Sequence, residues 1–561
     1  MKRLINKETI KPYLIITLVY ILAHFFILLL SGCWWDDWTF MTHDLNYISI
    51  VASQSGRPEW NLLIPFCWSQ PNNGRILIFF LYLLDALFVY AAIKNCGLFD
   101  ERESLIIGLL FAVAPVDDAR ILISNFSYTV GLFFFFLSLM LFMFWNRMDK
   151  SAKKTIFRIC LLVLFFISFI LNSVLAYYYI LIGYLFVLEL KDSKEQNIVK
   201  KALSAVKNVL VKYPDFFVLP FIYYGINKTF FPTYGDAFDD YNAVTISGTL
   251  KCFLYIPLSV IKTFKDIILK SISCINIYTA IILALSVFVC IFIRSKDDDG
   301  EINIKDSLVK LLYGLFILAM GLLPYVMVRG KRIDTMGVKG RDAVLLPLGI
   351  AIILFSVVSL FKGKLRKVFI TVFVVFGIFS LNSLYLEWQK DYYYQLSMEN
   401  LFNNKIIAEN DTFFLIDLTE SDIEGQRYYS INTNAYHVFG DETRFFMPKV
   451  SNLYILKNRE SVRKTIEWLG YSGMMRDYDP EDLCFDAILN YANELSWQDV
   501  IRLKYLEMTN NKEFMEEIDS KGELEITIVD DDFTAMALKE YDEGKLHEDE
   551  DLLNLLIEYS E

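Results

Sequence analysis

The sequence predicts a mainly α-helical, polytopic membrane protein, a bundle of about 11 transmembrane helices followed by a small C-terminal α/β soluble domain. Two observations lead to this prediction. Hydrophobic residues make up 55% of the 561 residues, and apolar runs of roughly 18–22 residues recur, each long enough to cross about 30 Å of hydrocarbon as a helix. Acidic residues collect at the C-terminal end, where the apolar runs stop.

The apolar runs are predicted to be helices because a segment inside a bilayer must satisfy its backbone hydrogen bonds internally. Hydropathy places eleven of them along the chain. They lie near residues 13–31, 75–93, 104–116, 127–145, 157–173, 175–190, 213–231, 272–293, 308–328, 343–361 and 367–386.

Lysine and arginine residues in short loops predict the orientation, because such residues favour the cytoplasmic side. Four basic segments fall on one side when the eleven helices are threaded in order: residues 2–11, 147–158, 191–212 and 362–367. The N-terminus is therefore predicted to be cytoplasmic. An odd number of crossings then places the C-terminal domain outside the cell membrane.

Two segments leave the threading open. Residues 250–270 carry lysines at positions 251, 262, 265 and 270 among apolar residues, which favours an amphipathic helix on the outer surface. If this segment crossed the membrane, the C-terminal domain would be cytoplasmic. Residues 30–33 (Leu-Ser-Gly-Cys) follow the first apolar run and resemble a bacterial lipoprotein signal, whose cleavage would remove the first helix. The run is long for a signal peptide, so we favour a membrane helix.

We divide the chain into a transmembrane domain, residues 1–387, and an extracytoplasmic soluble domain, residues 388–561. From Trp388 onward there are 38 acidic and 16 basic residues, a charge of −22, and because the whole chain carries −12 the remainder carries +10. The overall negative charge argues against nucleic acid as a partner. In the soluble domain we predict strands at 413–418 and 523–529 and helices at 460–469, 481–495 and 552–559.

Adjacent carboxylates mark the first outer loop, residues 32–74. The run Trp-Trp-Asp-Asp-Trp at 34–38 places Asp36 and Asp37 together at the membrane surface, where like charge and apolar surroundings disfavour ionisation. Such a pair requires a cation, a proton or an acceptor hydroxyl nearby. A carboxylate there can deprotonate a hydroxyl or ligate a divalent metal. The alternative is a belt of interfacial tryptophans with incidental acids.

Other candidate substrate contacts lie in the first two outer loops. Arg75 begins the second helix, and its planar guanidinium suits a phosphate, although an arginine at a helix end can also simply extend into the headgroups. His43 has no second histidine at metal-ligand spacing. Asp117 and Asp118 form a second acidic pair on the same side, with Arg120 close behind, and the alternative for this segment is a solvated turn.

Two features break the usual rules for membrane proteins. Arg329, Arg332 and Arg341 fall in a loop that the threading places outside, against the normal bias. A lipid phosphate or pyrophosphate would stabilise them there, and so would ion pairs with the acidic C-terminal domain. Asp85 lies in the middle of the second helix, where an ionisable group faces the bundle interior or a cavity.

These features resemble the type-C membrane glycosyltransferases. The acidic pair directly after the first helix and the multi-helix core followed by an outer soluble domain are similar to that superfamily. The run KGRDAVLLPL at 339–348 also resembles a segment of bacterial membrane proteins of this kind. The resemblance covers the architecture of about the first 390 residues, through short motifs.

The resemblance implies that the protein moves a sugar from a polyprenyl-phosphate donor to a cell-envelope glycan or lipid acceptor on the outer face. Asp36 or Asp37 would be the general base, with Asp37 favoured. Asp117 and Asp118 would assist, and the four acids would hold a divalent cation if one is used. A glycan polymerase or ligase, and a flippase or transporter of lipid-linked saccharides, are the alternatives. The expected substrate contacts are Trp38, His43, Arg75, Asp117, Asp118, Arg120, Arg329, Arg332 and Arg341.

Overall fold

The computed structural model describes most of the chain as two compact units, Met1–Leu30 with Leu45–Tyr385, and Ser31–Asp44 with Leu386–Glu561. The first unit is the helical bundle, and the second contains the sheet. The described residues are 7–34, 37, 45–57, 59–68, 71–149, 151–193, 195, 197–234, 246–273, 281, 284, 304–329, 332–399, 404–406, 412–417, 445–447, 487–493, 495–528, 531–547 and 549–560.

The bundle is built from α-helices. In chain order they are α1 (Lys7–His24), α2 (Leu45–Gln54), α3 (Trp60–Trp68), α4 (Pro71–Asn95), α5 (Glu101–Ala112), α6 (Phe126–Asn146), α7 (Ala152–Ser168), α8 (Val174–Tyr177), α9 (Tyr179–Asp192), α10 (Ile198–Lys212), α11 (Pro214–Phe230), α12 (Ile246–Ser273), α13 (Ile304–Arg329), α14 (Pro347–Val358) and α15 (Gly363–Glu399).

The structure confirms a mainly helical chain with several helices able to cross a membrane, but the count of eleven is not confirmed. Within the described residues, six helices are long and apolar enough, or seven if α10 and α11, bent by 67°, form one span. The predicted runs at 104–116 and 343–361 became helices of 12 residues each. The run at 272–293 lies mostly outside the described residues. The six spans are 10–29, 73–95, 123–146, 174–191, 304–328 and 363–397.

Close helix contacts depend on glycine. On α14, a Cβ at Gly349 would lie 2.7 Å from the backbone nitrogen of Leu318 on α13. A Cβ at Gly321 on α13 would lie 3.0 Å from the carbonyl oxygen of Leu345. Small residues allow helix backbones to approach in this way. Such close packing matters in a membrane, because helices surrounded by lipid have no hydrophobic driving force for association. The α13–α14 contact is therefore fixed by backbone proximity.

The segment at 250–270 is part of one helix, α12, on which some polar residues are buried while Lys251 and Lys265 are exposed. Ser259 and Thr263 are fully buried, whereas Phe253 is 84% exposed. An exposed face that carries large apolar side chains as well as lysines suits an amphipathic helix at a membrane surface. The helix is not one of the six spans. Its predicted place on the outer surface stays a prediction.

The second unit contains a four-stranded sheet in the order β2-β1-β3-β4, formed by β1 (Thr412–Asp417), β2 (Phe445–Met447), β3 (Ala487–Asn493) and β4 (Gly522–Ile528). β1 runs parallel to β2 and β3, and β4 is antiparallel to β3. The predicted strands at 413–418 and 523–529 are confirmed by β1 and β4. The helices are α16 (Trp497–Thr509), α17 (Asn511–Asp519), α18 (Asp531–Asp542) and α19 (Asp549–Ser560).

The helix predicted at 481–495 is wrong where the structure describes it, because 487–493 is the strand β3. Its short apolar run fits either a strand or a helix by periodicity, and pairing with β1 and β4 decides the outcome. The helix at 552–559 is confirmed by α19. The helix predicted at 460–469 lies outside the described residues.

Candidate functional site

The structure separates the predicted site residues by unit. Asp37 belongs to the second unit and is fully buried, with its backbone N–H donating to the carbonyl of Trp34 at 3.0 Å. Arg75 belongs to the bundle, is 1% exposed, and donates from Nη1 to the carbonyl of Leu30 at 2.9 Å. The described part of the structure does not include Asp36, Trp38, His43 or the side chain of Arg329.

The second acidic pair lies in a buried turn of the bundle. Residues 113–125 connect α5 to α6 through two short 3-10 segments, Asp118–Ile121 and Ile123–Asn125. Asp117 and Asp118 are each 2% exposed, so the solvated turn considered from the sequence is ruled out. Asp117 has φ +65°, a left-handed conformation that costs an L residue roughly 1 kcal/mol. Strain at a buried acid is typical of a functional position.

Arg120 holds this turn in shape. Its Nε donates to the carbonyl of Asp117 at 3.1 Å, and its Nη2 donates to the carbonyls of Val116 and Ala114. The guanidinium also lies 5.3 Å from the ring centre of Tyr82. Burial disfavours its charge, but Tyr385 and Asp117 outweigh burial and raise the pKa of Arg120. Arg120 is thus a permanent buried cation that serves the loop backbone.

Tyrosines from the neighbouring helices orient the pair. The Tyr82 hydroxyl on α4 donates to Oδ2 of Asp117 at 3.0 Å. Behind it, His24 on α1 contacts the Ala112 carbonyl through Nε2 at 2.9 Å and the Tyr385 hydroxyl through Nδ1 at 2.6 Å. A carbonyl only accepts, so Nε2 carries the proton, and in a neutral ring Nδ1 accepts from Tyr385.

Sequence reasoning missed Tyr82, His24 and Tyr385 as parts of the site. The available signal was His24 inside the first apolar run, since a polar side chain within a membrane-spanning segment needs a polar partner. The tyrosines gave no comparable signal, because 33 tyrosines occur in the chain and an apolar helix accommodates them readily.

A glycine-containing loop between α13 and α14 packs against the acidic turn. Asp118 Oδ2 accepts a hydrogen bond from the Gly337 backbone N–H at 3.0 Å. Gly337 has φ +59°. Gly340, within the 3-10 segment Val338–Ala343, approaches so closely that a Cβ would lie 3.0 Å from the Asp118 nitrogen and 2.9 Å from the Thr335 carbonyl oxygen. We call this contact between 113–125 and 332–346 the loop junction.

The inward face of α12 supports the same loop. The Ile333 backbone N–H donates to Ser259 Oγ at 3.1 Å, and the Thr335 hydroxyl donates to Asp266 Oδ2 at 3.0 Å. Lys262 forms an ion pair with Asp334. The buried side chains of Ser259 and Asp266 on α12 are therefore explained by their hydrogen bonds to this loop.

The remaining predicted residues lie in this loop. Arg332 is exposed, and Arg341 is half-buried next to Asp342, which is 4% exposed. Tyr325 on α13 is within electrostatic reach of both Asp342 and Asp117. The junction thus brings two kinds of charged group together, carboxylates and guanidinium groups, at one end of the bundle. Carboxylates that are held in place can accept a proton from a hydroxyl, and guanidinium groups can bind a phosphate.

A metal role gains no support from the described residues. Among them, no group of three or more His, Cys, Asp or Glu side chains is arranged to hold a metal ion. Asp36, one of the four acids that would bind a cation, lies outside this set. A divalent cation therefore stays a prediction from the sequence alone.

We expect Gly340→Ala to disrupt the loop junction. The new Cβ would press on two backbone atoms, the Asp118 nitrogen and the Thr335 oxygen, and overpacking of this kind costs about 1–3 kcal/mol. Thermal unfolding of the purified protein in detergent should show a lower midpoint. Gly225→Ala is the matched control, because its Cβ would meet no described atom within 4 Å. Equal midpoints for both variants would refute tight packing at Gly340.

Comparisons with known proteins give no identity for this chain. No family model, no curated protein and no solved structure matches it. The resemblance to type-C glycosyltransferases therefore stays an expectation from the sequence, drawn from the short motifs at 34–38 and 339–348. The function has to be argued from the loop junction and the residues around it.

Proposed function

We propose that this protein is a membrane glycosyltransferase that moves a sugar from a polyprenyl-phosphate donor to a glycan or lipid acceptor of the cell envelope. The observation that carries the proposal is the buried acidic pair Asp117–Asp118, held with backbone strain at the loop junction of a membrane helix bundle. Backbone strain at a buried acid costs free energy, and such strain clusters at functional sites.

The proposed reaction inverts the anomeric carbon. A carboxylate takes the proton of the acceptor hydroxyl, and the oxygen forms a bond to the anomeric carbon. The bond from that carbon to the phosphate oxygen breaks, and the lipid phosphate leaves with the electron pair. Such a leaving group needs stabilisation of negative charge and no proton, which a guanidinium supplies.

Two acids compete for the role of base. The resemblance assigns it to Asp37, with Asp36 in support. The geometry of the bundle favours Asp117, since the Tyr82 hydroxyl orients its Oδ2 and Asp118 anchors the adjoining backbone. Arg332 and Arg341 on the neighbouring loop are the proposed phosphate contacts. Arg75 and Arg120, which bind backbone carbonyls, are proposed to position the loops around the donor.

The finer topology belongs to the same proposal. We propose about eleven crossings, a cytoplasmic N-terminus and an extracytoplasmic C-terminal domain. The basic segments at 147–158, 191–212 and 362–367 support this orientation. With it, residues 113–125 and 332–346 face the outside, where lipid-linked sugars and envelope acceptors would meet.

Substitutions at Asp117 should separate activity from stability. Asp117→Gly relieves the left-handed strain but removes the acceptor of the buried Tyr82 hydroxyl, which costs about 1–3 kcal/mol, so we expect a modest net loss of stability. Asp117→Asn tolerates the same backbone and can still accept from Tyr82. Both variants lose the base, and we expect the envelope glycan to fall at least about 100-fold. Glycan profiles would be measured by mass spectrometry in cells lacking the native copy, together with protein level and thermal midpoint.

Asp37→Asn in the same assay distinguishes the two bases. Loss of glycan only with Asp37→Asn assigns the base to the first outer loop and leaves Asp117 with a structural role. A wild-type glycan profile in Asp37→Asn, Asp117→Asn and the double variant, at normal protein level, would contradict the transferase mechanism.

A flippase or transporter of lipid-linked saccharides is the second candidate, and Asp85 favours it. This residue lies near the middle of the span 73–95 and is fully buried. Neither carboxyl oxygen has a hydrogen-bond partner among the described residues. An unpaired acid at such depth is typical of proton- or ion-coupled transport.

Asp85→Asn tests this alternative, because it removes the ionisable proton with little change in shape. If the protein is a transferase, we expect the variant to keep its envelope glycan within about twofold, since no step of the transfer needs this group. The matched comparison is Asp117→Asn. Loss of glycan in Asp85→Asn, with normal protein level and thermal midpoint, would instead support transport.

A further inference from the structure

The helix α10 exposes an apolar face that no described element covers. Four apolar side chains recur on this face at spacings of four, three and four residues. They are Val199 (67% exposed), Leu203 (64%), Val206 (46%) and Leu210 (42%). At about 100° per residue these positions form one narrow line along the helix. We call this line the apolar stripe.

A different face of α10 attaches it to the bundle. Ala205 and Val209 are buried. The Asn208 side chain donates to Glu189 Oε2 on α9 at 3.1 Å, and Lys212 pairs with Glu189 Oε1 at 2.6 Å. Because these contacts fix the rotation of the helix, the apolar stripe points away from the bundle.

The chain keeps α10 close to a membrane surface. The span 174–191 ends seven residues before Ile198, a link that reaches at most about 25 Å. Asn197 caps the new helix by accepting from the N–H groups of Val199 and Lys200. At its other end α10 turns by 67° into the apolar helix α11. The helix therefore starts and ends near the bilayer.

Lysines flank the apolar stripe on one side. Lys200 and Lys207 are exposed and lie about 80–100° around the helix from Val199. Within the part of the chain that the structure describes, neither forms an ion pair. An apolar line bordered by unpaired lysines complements a bilayer whose headgroups carry negative charge.

We propose that α10 lies in the membrane interface and binds acidic phospholipid headgroups through Lys200 and Lys207, with the apolar stripe inserted among the acyl chains. This surface is independent of the proposed transferase activity. It selects anionic over zwitterionic lipids, and each lysine contributes about fivefold to that selectivity. Added salt weakens the selectivity because exposed charges are screened.

The lipid selectivity of the full-length protein is the first test. Spin-labelled phosphatidylglycerol and phosphatidylcholine are compared by electron paramagnetic resonance in proteoliposomes of phosphatidylcholine with a minor share of phosphatidylglycerol. We expect the double variant Lys200→Gln/Lys207→Gln to lose selectivity for phosphatidylglycerol by about tenfold or more. Lys200→Arg/Lys207→Arg should retain it, since the charge is kept.

The matched control is Lys512→Gln/Lys539→Gln, which removes the same charge from two exposed lysines of the second unit. It should keep the selectivity. Unchanged selectivity in Lys200→Gln/Lys207→Gln, or an equal loss in the control, would overturn the proposal.

Photo-crosslinking identifies what covers the apolar stripe, without relying on a lysine variant. A photoreactive amino acid in place of Leu203 should yield, in the same proteoliposomes, an adduct with the mass of one phospholipid. An adduct with a second protein chain, or with water only, would overturn the proposal. A photoreactive residue in place of Lys512, which is exposed on α17, should give the water product and no lipid.

Discussion

The hydrogen bond from the Gly337 N–H to the Asp118 carboxylate joins two loops that lie more than 200 residues apart in sequence. It exists only because Gly340, one turn further on, brings its backbone against Asp118 without a side chain. A hydrogen bond to a charged acceptor contributes about 1.5–3 kcal/mol. The positions of Asp117, Arg120 and Asp342 all follow from the two loops that meet there.

Buried charge shapes the rest of the bundle. Arg120 is satisfied by three carbonyls of its own turn, which explains how an arginine can be 6% exposed in an apolar protein. Asp85 lies in similar surroundings and lacks any described hydrogen-bond partner. The contrast separates a buried group whose hydrogen bonds shape its own turn from one that has no hydrogen-bond partner among the described residues.

Composition and hydropathy predicted the helical membrane bundle, because long apolar runs have few alternatives. Short runs rich in aromatic and β-branched residues predicted the strands near 413 and 523. They failed where tertiary contacts decide the outcome. Residues 487–493 form a strand because β1 and β4 pair with them. The acidic pair was found from the sequence, but Tyr82 and Gly337 could not be, since only packing brings them to Asp117 and Asp118.

The most direct measurement of the loop junction is hydrogen exchange at the Gly337 amide in the purified full-length protein. In Asp118→Ala the exchange should be at least about tenfold faster than in the wild type, because the acceptor is lost. In Asp118→Asn it should stay close to the wild type, since an amide oxygen still accepts. The Ile333 amide, which donates to Ser259, serves as the internal reference. An unchanged Gly337 rate in Asp118→Ala would contradict the account.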